Sequence, residues 1–334
     1  MLQIGWGTWA LTVGLVVALL TVDLVVAAVR PHRIRFGEAT AWSVCYILVA
    51  VLFGVWFTTA HGSDLGVEYF TGYLVEKSLS VDNLFVFVVI MTTFSVPERH
   101  QQKVLTFGIA LALAMRAVFI AIGAGLISLF SFVFLLFGLL LIYTAVQLFR
   151  HRDEDQDVEN SLVVRTAHRV LPLTDDYVDG KLVTRVDGRR MVTPLFLVLL
   201  VIGTIDVLFA VDSIPAVYGI TKEPYIVSAA NAFALLGLRA LYFLVKGLLD
   251  RLVYLSTGLS IILGFIGVKL LLQWAHEDIS TSVPEIPTLA SLGVIVVVLA
   301  VVTVASLVKV RRDPTARAHS GAMQARRERE SARR

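Results

Sequence analysis

The feature that most constrains the fold of this chain is the run Ala117–Phe149, which contains no Asp, Glu, Lys or Arg over 33 residues. A helix that crosses a bilayer needs about 20 consecutive apolar residues, whereas the core of a soluble domain does not require uncharged runs of this length. Charged residues make up only 16% of the chain and hydrophobic residues 57%, against about 25% charged in a typical globular protein. So few charges cannot cover a soluble surface, and the sequence therefore predicts an all-α polytopic membrane protein.

Apolar runs long enough to cross a membrane recur along the whole chain. They predict about nine transmembrane helices, near residues 8–29, 39–60, 67–91, 103–126, 128–149, 192–214, 225–246, 253–274 and 287–308. The fourth and fifth runs are separated only by a short break near Gly125–Ser131, so a count of eight is the alternative.

The basic residues fall mainly on one side of these nine predicted helices. With the N-terminus outside, the first, third, fifth and seventh loops and the C-terminal tail hold 24 of the 29 Lys and Arg residues. Cytoplasmic loops of membrane proteins carry such an excess of positive charge. The pattern therefore predicts a multi-pass protein of the cell (plasma or inner) membrane, with its N-terminus outside and its C-terminus in the cytoplasm.

Two of the predicted spans carry the same acidic pattern. Glu76 and Asp82 in the third span are six residues apart, as are Asp206 and Asp212 in the sixth, and the two pairs are offset by 130 residues. Shorter matches link span four to span seven and span five to span eight in the same order. Because span three enters from the outside and span six from the inside, the sequence predicts an inverted 3+3 helix repeat of spans 3–5 and 6–8. Such repeats are typical of secondary transporters, whose substrate sites lie near the membrane midplane.

The repeat divides the chain into six segments. They are 1–66 with two N-terminal helices, 67–149 with the first three-helix repeat, 150–191 as a charged cytoplasmic loop, 192–274 with the second three-helix repeat, 275–309 with the ninth span, and 310–334 as a basic cytoplasmic tail. The composition of the charged loop favours a solvated linker, with a small regulatory surface as the alternative. The basic tail is interpreted as an anchor at an anionic leaflet, and nucleic-acid binding is not expected.

Charged residues inside the predicted spans need a physical explanation. Five are acids: Asp23, Glu76, Asp82, Asp206 and Asp212. Four are bases: Lys77, Arg116, Arg239 and Lys269. An ionised Asp at the centre of a membrane helix costs about 2.5–3.5 kcal/mol, so each acid must be paired, hydrated, protonated or bound to a cation. The acids either form structural ion pairs with the bases or bind a cation; Lys77 and Lys269, near span ends, are also placed to extend towards the membrane surface.

Oxygen ligands cluster near the repeated acids. Pro215 cannot donate to the carbonyl of Val211, so we expect a break in span six that exposes a carbonyl oxygen beside Asp212. The candidate metal ligands are Glu76, Asp82, Asn83, Asp206, Asp212, Ser213 and Asn231. Carboxylate, hydroxyl, amide and carbonyl oxygens suit Mn²⁺, Mg²⁺ or Ca²⁺, whereas the lone Cys45 and the distant histidines disfavour a zinc or copper site.

The segments Glu76–Phe87, Phe209–Ala216 and Asn231–Phe243 together resemble the TerC/Alx family of tellurium-resistance-associated integral membrane proteins, which belongs to the lysine-exporter superfamily. The resemblance covers roughly residues 8–275. It implies a role in manganese homeostasis, with Mn²⁺ exported from the cytoplasm, and it places the family's acidic transport residues on Glu76, Asp82, Asp206 and Asp212. One departure is Gly203, where many members have a glutamate.

These observations predict a transporter rather than an enzyme. Mn²⁺ is the expected substrate, no permanently bound cofactor is expected, and protons are the natural exchange partner because carboxylates bind either ion. The alternative is a non-transporting scaffold or metal sensor in stress or tellurite resistance, with the acids as structural ion pairs. A membrane-embedded aspartyl hydrolase is disfavoured because its Gly-x-Gly-Asp signature is missing: the chain reads Gly203-Thr-Ile-Asp206.

Overall fold

The fold is described here from a computed structural model of the chain. The described residues are 5–29, 36–130, 132–150, 164–166, 169, 171–174, 177, 180–186, 189–248 and 253–312. The C-terminal tail beyond residue 312 and residues 151–163 of the charged loop, on which two of the sequence interpretations fall, lie outside them.

The first part of the chain forms five long helices. They are α1 (Trp6–Val29), α2 (Phe36–His61), α3 (Ser63–Thr93), α4 (Glu98–Leu129) and α5 (Val133–Arg150). Helix α4 ends at Leu129, where the N–H of Phe130 donates to the carbonyl of Leu126, and Phe130 itself is extended. The fourth and fifth predicted spans are therefore two separate helices.

The second part begins with an antiparallel hairpin and continues with five helices. The hairpin consists of β1 (Val183–Val186) and β2 (Arg189–Val192), with Val183 opposite Val192. The helices are α6 (Pro194–Tyr218), α7 (Pro224–Leu235), α8 (Leu238–Leu248), α9 (Leu255–Asp278) and α10 (Thr288–Arg312). The hairpin was not expected from the sequence.

Length and composition qualify seven of the described helices as membrane spans: α1, α2, α4, α5, α6, α9 and α10. Helices α7 and α8 together qualify as an eighth, bent by 43° between Leu235 and Leu238. Helix α3 has 31 residues but carries five charged side chains. These lower its mean hydropathy, and α3 is not among the qualifying helices. The chain is thus an all-α polytopic membrane protein apart from the hairpin. All nine predicted spans fall on helical segments, while their crossing of a membrane, their orientation and the inverted repeat stay predictions.

Apolar side chains remain on the outside of the helical bundle. On α10, the side chains of Val297, Val301 and Val304 are each about 60% exposed. On α2, Leu52 is similarly exposed. A contiguous apolar exterior is unfavourable in water and favourable in a hydrocarbon environment, so these faces are the ones that contact lipid.

Helix α3 lies at the centre of the bundle. It packs against α2, α6, α7, α8 and α10, and Leu84 and Ile90 of this helix are fully buried in a core shared with α4, α6 and α8. The central position explains how α3 tolerates five charged residues, because most of its length is shielded from lipid by other helices.

Helices α5 and α9 approach each other closely at two glycines. A Cβ atom on Gly267 would lie 3.0 Å from the carbonyl oxygen of Gly138 and 2.8 Å from Cγ1 of Ile142. Small residues at such positions let two membrane helices pack backbone to backbone.

We expect Gly267→Leu to lower the free energy of unfolding by about 1–3 kcal/mol, because the larger side chain forces α5 and α9 apart. Thermal unfolding in detergent measures the effect. Gly125→Leu is the matched control, since a Cβ at Gly125 of α4 meets no atom within 4 Å. Equal costs for the two variants would contradict the close packing of α5 against α9.

The described part of the charged loop packs against one end of the bundle. Val164 is buried in the core cluster, Tyr177 donates a hydrogen bond of 2.6 Å to the carbonyl of Phe94, and the Nζ of Lys103 donates to the carbonyl of Gly180 at 2.6 Å. Burial raises the pKa of Tyr177 to about 12, so its hydroxyl stays protonated and can donate at neutral pH. This segment is docked on the helices rather than a solvated linker.

Candidate functional site

The centre of the candidate site is Arg116, whose side chain on α4 is completely buried. Its Nη1 forms an ion pair with the carboxylate of Glu76 on α3, which is also completely buried. Its Nη2 lies 3.8 Å from Oδ1 of Asp206 on α6. One guanidinium thus joins the first acid of each predicted repeat, and the three helices meet at a single buried charge cluster.

Asn83 completes this cluster from α3. With the side-chain amide oriented to suit its neighbours, the oxygen accepts a hydrogen bond from Nη2 of Arg116 at 3.1 Å and the nitrogen donates to the carbonyl of Leu79 at 3.0 Å. The amide oxygen therefore faces the same guanidinium as the two carboxylates. We refer to Glu76, Asn83, Arg116 and Asp206 as the Arg116 cluster.

The Arg116 cluster carries more negative than positive charge. Two carboxylates face one guanidinium, and the buried atoms Oε2 of Glu76, Oδ2 of Asp206 and Nε of Arg116 have no hydrogen-bond partner among the residues that the structure describes. Buried polar atoms are normally satisfied, and an ionised carboxylate away from water is costly. The cluster therefore has the capacity to take up a further positive charge, either a proton or a cation.

Helix α6 places Asp212, the second acid of the predicted repeat, away from Arg116. Asp212 is half-buried and its Oδ1 accepts a hydrogen bond of 2.9 Å from the hydroxyl of Thr144 on α5. Six residues turn an α-helix by about 600°, so Asp206 and Asp212 project about 120° apart and cannot both face Arg116 from a regular helix. Asp212 consequently belongs to the contact between α5 and α6.

The other predicted ligands with described side chains make no hydrogen bond or ion pair with the Arg116 cluster. Ser213 and Asn231 are buried, and the hydroxyl of Ser213 and the amide nitrogen of Asn231 have no partner among the described residues. The side chain of Asp82 lies outside the described residues. Within the described part of the chain, no three His, Cys, Asp or Glu side chains lie close enough to hold a metal. The described cluster thus offers two carboxylates and one amide oxygen.

The predicted break at Pro215 does not occur. Helix α6 continues through Pro215 to Tyr218, and the carbonyl of Pro215 accepts a bond of 2.9 Å from the N–H of Gly219. Residues 213–218 are all buried, so packing on every side holds the helical path although one backbone donor is missing. The interpretation of Pro215 as the point where the span opens is therefore wrong.

The break lies instead further along the chain, between α7 and α8. Gly237 has a φ of +77°, a left-handed conformation that glycine adopts without strain. The Nζ of Lys77 on α3 donates to the carbonyl oxygens of Ala234 at 3.0 Å and Leu236 at 3.4 Å. Lys77 therefore binds the interior of the bundle and does not extend to the membrane surface. An isolated glycine in an apolar run is the sequence signal that indicates such a site.

Asp23 supports the alternative of structural ion pairing. Its Oδ1 lies 2.9 Å from Nη2 of Arg239 on α8 and accepts a second bond of 3.3 Å from the hydroxyl of Tyr46 on α2. This carboxylate is satisfied by a base and a phenol from two other helices. The pair joins α1 and α2 to the start of α8.

Gly203 is half-buried on α6 and faces α4. A Cβ at this position would lie 2.8 Å from Cδ2 of Leu111, which is five residues before Arg116 on the same helix. Glycine therefore lets Leu111 pack onto α6. A glutamate at position 203 would have to displace this leucine.

Comparisons with known proteins agree with the acidic motifs. Residues 61–314 match the integral membrane protein TerC family. The chain is 47% identical over 310 residues to an uncharacterised membrane protein of Mycobacterium tuberculosis, covering 89% of this chain and 78% of the relative. It is 42% identical over 264 residues to the thylakoid membrane protein TERC, chloroplastic, of Arabidopsis thaliana, covering 79% and 67%.

A third relative is Alx of Escherichia coli K12, a proposed membrane-bound redox modulator. The chain is 36% identical to it over 299 residues, covering 87% of this chain and 90% of the relative. No solved structure matches the chain significantly. The extent of the family match and these identities show that the chain belongs to the TerC family of integral membrane proteins.

Proposed function

We propose that this protein is a secondary transporter that exports a divalent cation, Mn²⁺, from the cytoplasm. The observation that carries the proposal is the Arg116 cluster, in which buried carboxylate oxygens of Glu76 and Asp206 lack hydrogen-bond partners among the described residues. Hard oxygen ligands of this kind suit Mn²⁺. Ionisable groups inside a membrane bundle commonly mark an ion pathway.

Arg116 has a defined role in this proposal. Its guanidinium neutralises one of the two carboxylates when the site holds no metal. A divalent cation between Glu76 and Asp206 would balance both negative charges, so Arg116 would have to withdraw or exchange its partners when the cation binds. Arg116 thus keeps the empty site stable in a low-dielectric interior and competes with the cation for the same oxygens.

Protons are the proposed exchange ion. A carboxylate that releases Mn²⁺ inside a membrane regains a neutral state by taking a proton, which makes antiport chemically balanced without a further ligand. Asp212, hydrogen-bonded to Thr144 on α5, is the acid placed between the Arg116 cluster and the end of α6. The proposal needs no covalent step and no resident cofactor.

The two ends of the helical bundle differ in how they are covered. The docked segment with Val164, Tyr177 and Gly180 covers one end of α3 and α4. At the C-terminal end of α6, Gly219, Thr221 and Lys269 line a cavity of about 440 Å³. With the predicted orientation, the N-terminus outside and the C-terminus inside, the covered end faces the cytoplasm of a cell membrane and the cavity faces outward.

Mn²⁺ flux into proteoliposomes that contain a metal-quenched dye tests the proposal. We expect Asp206→Asn to lower the initial rate about tenfold or more, because it removes one of the two proposed ligands, and even the outer hydrogen-bond partners of metal ligands contribute about 10–100-fold to metal affinity. An imposed pH gradient should accelerate the wild type. Glu277→Gln, which alters an exposed acid paired with Lys222, is the control and should retain the wild-type rate. Wild-type flux no faster than that of empty vesicles would exclude transport of Mn²⁺.

A membrane scaffold or metal sensor is the second candidate, favoured by the satisfied ion pair of Asp23 with Arg239. In that role the acids only hold helices together. Variants at Glu76 and Asp206 would then lower the yield of folded protein while leaving the manganese content of cells unchanged. Loss of flux in a folded variant would exclude this candidate.

A further inference from the structure

The broken span of α7 and α8 exposes main-chain carbonyls inside the bundle. Helix α7 ends at Leu235, the chain turns at Gly237 with φ +77°, and α8 begins at Leu238 with a bend of 43°. The last carbonyls of a helix lack the N–H partners that a continuing helix would supply. Ala234, Leu236 and Gly237 are all buried, so water is not available to replace those partners.

A cation on a side chain binds these carbonyls. The ammonium of Lys77 approaches the oxygens of Ala234 at 3.0 Å and Leu236 at 3.4 Å. Among the described residues no carboxylate pairs with Lys77, although it follows Glu76 directly in the sequence. Within the part of the chain that the structure describes, its charge is stabilised by neutral carbonyl dipoles at the negative end of α7.

The neighbouring helices fix the position of the break. A Cβ on Gly237 would lie 2.6 Å from Cδ2 of Tyr46, so α2 packs directly against the turn. Arg239, two residues later, is paired with Asp23 at 2.9 Å. Because α1, α2 and α3 all hold the turn, the two carbonyls are presented to Lys77 in a defined geometry.

Backbone carbonyls at broken helices are the groups that coordinate monovalent cations in secondary transporters. We propose that the carbonyls of Ala234 and Leu236 form a cation site, that the Lys77 ammonium is its built-in occupant, and that a free Na⁺ or K⁺ ion binds there when the ammonium is removed. A monovalent ion is expected rather than a divalent one. The described ligands are neutral carbonyls that already stabilise the single positive charge of the Lys77 ammonium, and they supply no negative charge for a second one. This inference goes beyond the proposed function, and its test does not require transport.

The test compares thermal unfolding in detergent with NaCl, KCl or choline chloride at equal ionic strength. We expect the wild type to unfold at the same temperature in all three salts, because its site is filled. We expect Lys77→Ala to unfold at a lower temperature in choline chloride and to regain several degrees in NaCl or KCl, since a ligand that binds only the native state stabilises it by mass action. Lys77→Arg, which keeps a positive charge, should stay insensitive to the salt.

Lys103→Ala is the matched control. Lys103 also donates to a main-chain carbonyl, that of Gly180 at 2.6 Å, but not at a helix break, so its loss should not be rescued by Na⁺ or K⁺. The proposal is overturned if Lys77→Ala responds equally to all three salts, whether it is stable, unstable or too poorly folded to purify in each. It is also overturned if Na⁺ or K⁺ stabilises the wild type relative to choline, since the ammonium would then not fill the site.

Discussion

Arg116→Met is expected to lower the free energy of unfolding by about 3–5 kcal/mol, the cost of removing one partner from a buried charge cluster. The substitution keeps an unbranched apolar chain of similar length but leaves Glu76 and Asp206 as two buried carboxylates without a cation. Neither acid can turn towards water, because their residues are 0% and 3% exposed. Chemical or thermal unfolding in detergent micelles measures the difference.

Lys222→Met provides the comparison for this prediction. Lys222 pairs with Glu277, and the two side chains are 46% and 32% exposed. An exposed pair contributes about 0–1 kcal/mol, so the control should unfold almost as the wild type does. A cost for Arg116→Met as small as that of Lys222→Met would contradict the assignment of Arg116 as the cation that holds the cluster.

The second large effect separates folding from transport. We expect the triple variant Glu76→Gln, Arg116→Met and Asp206→Asn to regain most of the stability that Arg116→Met loses, because no buried charge is left unpaired in the cluster. The same protein should carry Mn²⁺ no faster than empty vesicles, because neutral amides replace both carboxylates. Flux in proteoliposomes and unfolding in detergent are measured on the same preparation.

The triple variant is therefore expected to be stable in detergent and inactive in proteoliposomes. A folded triple variant that still transports Mn²⁺ would place the cation site outside the Arg116 cluster. Asp82 and Asp212 would then be the acids to examine. A triple variant as unstable as Arg116→Met would contradict the assignment of that instability to unpaired buried charge.

The helical plan of the protein follows from the sequence because long apolar runs have few alternatives in a membrane. The sequence also marks Glu76 and Asp206 as functional or paired, because an ionised acid inside an apolar membrane span is costly. The identity of their partner does not follow from the sequence. Arg116 lies 40 residues from Glu76 and 90 from Asp206, and only the packing of α3, α4 and α6 brings the three together.

Pro215 and Gly237 show why the position of a helix break does not follow from single residues in the sequence. Pro215 removes one backbone donor, yet tight packing holds α6 in a helix through it. At Gly237 the packing favours a break instead of a continuous helix, because Tyr46 occupies the space where a side chain would be and Lys77 stabilises the open carbonyls. The effect of either residue therefore depends on neighbours from other helices, which a single sequence does not reveal.

The hairpin could have been predicted from a short motif. Asp-Gly at positions 187–188, outside the described residues, separates two runs of four residues that form β1 and β2. Asp-Gly between strand-like runs is a strong hairpin signal. The many charges of the surrounding loop favour a solvated linker as the interpretation of the sequence. They give no sign that its apolar residues Val164 and Tyr177 pack against the bundle.

Direct binding of Mn²⁺ to the purified protein tests the central claim, that Glu76 and Asp206 form a divalent-cation site. Electron paramagnetic resonance of the free ion, titrated with protein in detergent, measures it. The account predicts that the wild type and Glu277→Gln bind Mn²⁺ with equal affinity. It predicts that the affinity of Asp206→Asn is at least about tenfold lower. Equal affinity for Asp206→Asn and the wild type, or no binding by the folded wild type, would contradict the account.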